Sequence, residues 1–111
     1  MKTTKEIGSK LEETILAMVK DIDPQARRTR GSGCGNEYAD ISCSFAYIEC
    51  KKRNTESITI KETTWNHLNY NLPISTSKFT IMVLENKNKK RWVVLDCDEF
   101  FRILKKASKN G

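Results

Sequence analysis

Asp40-Ile41-Ser42-Cys43-Ser44-Phe45-Ala46-Tyr47-Ile48-Glu49-Cys50-Lys51 is the stretch on which the fold turns. Polar and apolar side chains alternate from Asp40 to Cys43 and again from Tyr47 to Lys51, the period of two half-buried strands. A short turn between them makes an antiparallel hairpin. With Ser44-Phe45 as a two-residue turn, Cys43 faces Ala46, Ser42 faces Tyr47, Ile41 faces Ile48 and Asp40 faces Glu49. Ser-Phe is not a favoured two-residue turn, and a four-residue loop keeps the same register, whereas an odd loop offsets the acids diagonally. Ile41, Cys43, Ile48 and Cys50 then share one face, and Asp40, Ser42, Glu49 and Lys51 the other. Directly opposed Cβ atoms stand about 4.5 to 5.5 Å apart. Two carboxylates that close repel each other, and a cation between them relieves the repulsion.

Upstream, Ile7, Leu11, Ile15 and Met18, widened by Leu16 and Val19, mark an amphipathic helix over residues 4–20, with Thr3 and Glu6 as a capping box. Asp21-Ile22-Asp23-Pro24 ends it, because the residue before proline is pushed out of the helical region. An extended piece follows over 25–30, and then Gly31-Ser32-Gly33-Cys34-Gly35-Asn36 forms a loop. Downstream, Thr59 and Glu62 form a second capping box ahead of a helix carrying Trp65, Leu68 and Leu72, which Pro73 stops. Strands over 78–84 and 91–95 flank the basic turn 85–90. Asp96 and Glu99 cap a last helix with Phe100, Phe101, Ile103, Leu104 and Ala107, and the tail frays over 108–111. The order helix, three strands, helix, two strands, helix predicts a single α/β domain over 1–107, a central mixed β-sheet flanked by helices.

A length of 111 residues fits one domain. The longest apolar runs, such as Thr80 to Leu84 and Trp92 to Leu95, are far too short to cross a membrane. The amphipathic N-terminal stretch is no signal-peptide core, so a cytoplasmic location is expected. Cys34, Cys43, Cys50 and Cys97 contain no C-x-x-C pair and no zinc spacing, so they read as reduced thiols. Twenty Lys and Arg against fourteen Asp and Glu give a net charge of +6, which favours a polyanionic partner. His67 stands alone, and Trp65 and Trp92 read as core rather than as base-stacking platforms.

A hard divalent ion takes oxygen ligands and is commonly held by one or two carboxylates plus a substrate phosphate. Asp40 and Glu49 supply such a site, and Lys51 brings an ammonium to the same phosphate. The constellation suits phosphodiester hydrolysis. Arg27, Arg28 and Arg30 on one side, with Lys52 and Arg53 on the other, offer a phosphate-binding track beside it, unless they are merely solvated charge.

Asp40, eight residues, then Glu49-Cys50-Lys51 resembles the D-x(n)-E-x-K core of the PD-(D/E)XK nuclease superfamily. Arg30-Gly31-Ser32-Gly33 ahead of Ala39-Asp40-Ile41 is similar to the archaeal-type Holliday junction resolvases and to small phage-encoded endonucleases. Ser57 to Lys61 and Trp92 to Val94 also resemble the latter. The resemblance implies a restriction-endonuclease-like αβββαβ core with Mg²⁺, or Mn²⁺ in its place, bound by Asp40, Glu49 and the Cys50 carbonyl. Lys51 would be its catalytic lysine, Ser32 a loop serine near the centre, and Glu12 a further ligand; as residues alone, Glu12 reads equally well as solvated. Ala39 stands where the family's proline would be, and the gap from Asp40 to Glu49 is shorter than in many resolvases. The implied function is Mg²⁺-dependent cleavage of branched DNA by a homodimer. Alternatives are a nuclease of linear, nicked or flapped DNA, and a nucleic-acid-binding module without chemistry.

Overall fold

The structure, a computed structural model, describes residues 4–29, 39–70 and 78–110. The elements run α1 (Thr4–Lys20), β1 (Arg27–Arg28), β2 (Ile41–Ser42), β3 (Ala46–Lys52), α2 (Glu62–Tyr70), β4 (Phe79–Glu85), β5 (Arg91–Val94) and α3 (Cys97–Asn110). Five strands make one mixed sheet in the order β1-β2-β3-β4-β5. Neighbours are antiparallel except β3 and β4, which are parallel and connected through α2. The α/β class and mixed sheet expected from the pattern are what the chain adopts.

Alternation along β3 and β4 sorts the sheet into two faces. Ala46, Ile48 and Cys50 share a face with Phe79, Ile81 and Val83 by register. Leu11, Ile15 and Val19 of α1 cover that face and complete the core with Ile41 and Cys43. Ile41 and Met82 are fully buried. Truncating Ile41 to alanine is expected to cost roughly 2–5 kcal/mol, the transfer loss plus the cavity left behind.

Local chemistry sets the element ends. Ile22 and Asp23 amides fold back onto the Val19 carbonyl and close α1 before Pro24. The Asp23 carboxylate accepts from the Gln25 and Ser44 amides at 3.0 and 2.6 Å, which ties the end of α1 to the hairpin turn and holds its carboxyl below the ordinary range. The hairpin closes over Ser44-Phe45, with the Cys43 amide donating to the Ala46 carbonyl at 3.0 Å. Its register, Ile41 with Ile48 and Ser42 with Tyr47, is the expected one.

Two caps differ from expectation. α2 starts from Lys61, whose carbonyl receives the Thr64 and Trp65 amides, so Thr59 lies ahead of the cap; the β-branched run Ile58-Thr59-Ile60 stays outside the helix. Asp96 does open α3, its backbone carbonyl accepting from the Phe100 amide, but Glu99 turns its carboxylate onto the Thr80 amide of β4 at 3.1 Å instead of back to the cap. α3 also continues to Asn110, past the point where fraying was expected. Residues 1–3 with Thr3, and 30–38 with Arg30, Ser32 and Cys34, lie outside the described residues, as does the His67 side chain.

Candidate active site at the β2–β3 edge

Asp40 stands where the β2–β3 ladder ends. A continued register would pair it with Glu49, but its amide donates to the Ile48 carbonyl at 3.0 Å, one residue short of that pairing. The cause lies next to it: Ala39 has φ 62°, a left-handed conformation that turns the chain out of the strand. Thr29 clamps the turn. Its hydroxyl donates to the Ala39 carbonyl at 2.6 Å, and its amide donates to the Asp40 carbonyl at 2.9 Å. So released, the Asp40 carboxylate reaches along β3, where Oδ2 accepts from the Cys50 amide at 2.8 Å.

Three carboxylates meet there. Asp40 lies within hydrogen-bonding reach of both Glu49 and Glu12. Glu49 is pushed up to about 8, first by burial, then by the charge of Asp40 and a hydrogen bond to it, with Lys51 opposing and Glu12 adding to the rise. Burial and the charge of Asp40 also raise Glu12, against the pull of Arg28. Arg28 Nη2 donates to Glu12 Oε2 at 2.5 Å, an ion pair whose glutamate side is only 19% exposed. The cluster is therefore balanced by a proton on Glu49 and by the Arg28 guanidinium, with Lys51 two residues from Glu49 on the same side of β3. Burial and the same three acids drive the Cys50 thiol far above its usual range, so at neutral pH this cysteine is an inert thiol.

Asp40 thus lies beside both Glu49 and Glu12, with Lys51 near enough to Glu49 to oppose its rise, although the acids are not rungs of one ladder. Among the described residues, no three His, Cys, Asp or Glu side chains are set around one metal position. Cys43, Cys50 and Cys97 are free thiols.

The expected cationic track is altered in two places. Lys52 does not face outward: its Nζ pairs with Glu85 Oε1 at 2.8 Å and donates to the Asn86 carbonyl at 2.7 Å, so it braces the end of the sheet. It follows the alternation of Ile48 and Cys50 onto the α1 face, a signal already present in the chain. Arg91 Nε grips the same carboxylate at 2.7 Å; burial alone would raise Glu85, and these two cations outweigh it. Arg28 is paired with Glu12 although it stays exposed, as Arg27 and Arg53 are. The Arg28–Glu12 pair and the Thr29 clamp carry no signature in the sequence, since the first depends on how α1 lies against β1 and the second on how the end of β1 meets residues 39–40. Trp92, expected in the core, is 41% exposed. Among the described residues no helix is long and apolar enough to cross a membrane.

No protein-family model matches this chain, and neither does any curated protein or solved structure compared with it.

Proposed function

We propose that the protein is a metal-dependent endodeoxyribonuclease acting on branched DNA, of the Holliday junction resolvase kind. The observation that carries this reading is the meeting of Glu12, Asp40 and Glu49 beside Lys51 at one sheet edge. Three acids crowded until one keeps its proton make an environment that a divalent cation relieves. Their oxygens are hard carboxylate donors, the type that suits Mg²⁺ or Mn²⁺ and not a soft metal, and they would have to close on the ion, since they are not set around one position without it. When bound, the ion would supply an activated water and neutralise charge on the scissile phosphate.

The chain's own residues do the rest. To hold such an ion Glu49 would have to be ionised and Glu12 freed from Arg28, and Arg28 and Lys51 would then offset phosphate charge beside the acids. Arg27 and Arg53 extend the positive surface, and the +6 net charge draws the duplex in. The amide of Cys50 holds Asp40 in place throughout.

A four-way junction is cut on two symmetry-related strands, so two copies related by a two-fold axis are part of the proposal. Phe100, Phe101 and Leu104 on α3, 45%, 60% and 44% exposed, give each copy an apolar face for the other.

The test compares a synthetic four-way junction with a linear duplex of the same sequence, in Mg²⁺, for the wild-type protein and Asp40→Asn. Preferred cutting of the junction, lost in the variant while binding persists, supports the reading. Equal cutting of both substrates removes the junction preference, and unchanged cutting by the variant removes the site.

A further inference from the structure

We infer that the groove between residues 56–58 and β5 is a stacking site for an unpaired nucleobase, with Trp92 as its platform. The inference rests on the nuclease reading for the identity of the substrate strand; the groove's shape and chemistry stand by themselves.

Register places the groove. Lys51 pairs with Leu84 and Leu84 with Trp92, so the three side chains form one row across β3, β4 and β5 on a single face. Two strand spacings, about 10 Å, separate the backbone of Trp92 from that of Lys51. The groove has a volume of about 670 Å³ and is lined by Ser57, Ile58, Leu84, Asn88, Lys90 and Trp92 among others. Its apolar floor and polar rim match a base, which has a flat π face and hydrogen-bonding edges.

Trp92 decides between a binding surface and a core. A tryptophan at 41% exposure on a strand wastes much of the apolar area that would favour its burial. Lys90 Nζ stands 5.6 Å from the centroid of the indole ring and so brings positive charge to the platform. Glu56 is the acid at the groove's edge, and Lys90 sets one positive charge against it beside the indole. An indole, flanking cations and hydrogen-bonding side chains are the parts with which proteins hold single strands. A branch point is where duplex strands offer an unstacked base. The groove would hold that base while the neighbouring phosphate lies at the acids.

The segment forming the other wall is fixed for the purpose. The Asn86 side-chain amide donates to the Glu56 carbonyl at 2.9 Å, and the Lys87 amide donates to the Thr55 carbonyl at 3.0 Å. These bonds tie residues 55–56 to the β4–β5 turn and hold the groove open.

The test uses the tryptophan itself. In Trp65→Phe protein the emission reports Trp92 alone, and EDTA keeps any substrate intact. Titration with a short oligothymidylate should quench that emission to saturation. Trp92→Leu should weaken binding of the oligomer by about tenfold, within the range that stacking of one base supplies, and Trp92→Phe should restore most of it. No quenching, or equal quenching by a fully paired duplex, overturns the stacking site. Emission that changes with protein concentration alone assigns Trp92 to a contact between copies and overturns it too. Because no metal is present, these outcomes are separate from loss of cleavage in Asp40→Asn: quenching with an unaffected Asp40→Asn nuclease would sink the catalytic site and leave the groove standing.

Discussion

Replacing Glu49 by glutamine should stabilise the protein in alkaline solution and leave it nearly unchanged in acid. The folded protein holds the Glu49 proton up to about 8, against 4.5 in an unfolded chain, because burial and Asp40 both disfavour the charge. The sign follows from proton binding: the folded form binds this proton more tightly, so its contribution to stability is complete below pH 4.5. It is lost as pH rises through about 8. At about 1.4 kcal/mol per pKa unit the full loss has an upper bound of about 5 kcal/mol. Lys51 offsets part of it, and water at this half-buried edge relaxes around the charge, so roughly 2 kcal/mol is expected. For a chain of this size that is a shift of about 8 °C in melting temperature. Thermal melts of the wild type and Glu49→Gln at pH 5 and pH 9 measure it, and their difference cancels the titrating groups that do not touch Glu49. The two should coincide at pH 5 and separate at pH 9, with the glutamine variant melting higher. A constant difference across that range would mean that Glu49 does not meet Asp40 in a desolvated pocket, and the site would lose its central pair.

Other perturbations test the supports around the site. Ala39→Gly should raise stability by roughly 0.5–1 kcal/mol, because glycine takes φ 62° without the steric cost alanine bears; a lowered urea midpoint would contradict the turn. Lys52→Met should lower stability by roughly 2 kcal/mol, since it leaves buried Glu85 with Arg91 alone, while DNA affinity in a filter-binding assay stays unchanged; weaker binding with intact stability would return Lys52 to the DNA track. Phe101→Lys should convert a two-copy species to a single chain by light scattering, and a wild-type protein that is already a single chain would remove α3 as the contact.

Periodicity made the sheet readable. The hairpin register follows from two-residue alternation with both faces marked, and a slip by one would have exposed Ile41 and Ile48. Asp96 announces α3 because a short acid before a helical pattern has one strong reading. What escaped the sequence depends on contacts between distant segments. Asp40 leaves the ladder because Ala39 is left-handed and Thr29, ten residues upstream of Ala39, holds it there. Arg28 reads as one more cation in a basic run until α1 brings Glu12 over it. Lys52 stands in a second basic run, residues 51–53, but belongs by alternation to the face of Ile48 and Cys50. Trp92 is apolar and lies on a strand, yet β5 is an edge strand, and among the described residues no strand pairs with its outer side. Composition favours burial of such a residue; topology leaves it at the surface.

The most direct trial of the central claim is a crystal of the protein soaked in Mn²⁺ and measured for anomalous scattering. The account predicts a peak bounded by the carboxylates of Glu12, Asp40 and Glu49 with Lys51 beside it, and its disappearance in Asp40→Asn. A crystal with ordered carboxylates at that edge and no peak between them would contradict it.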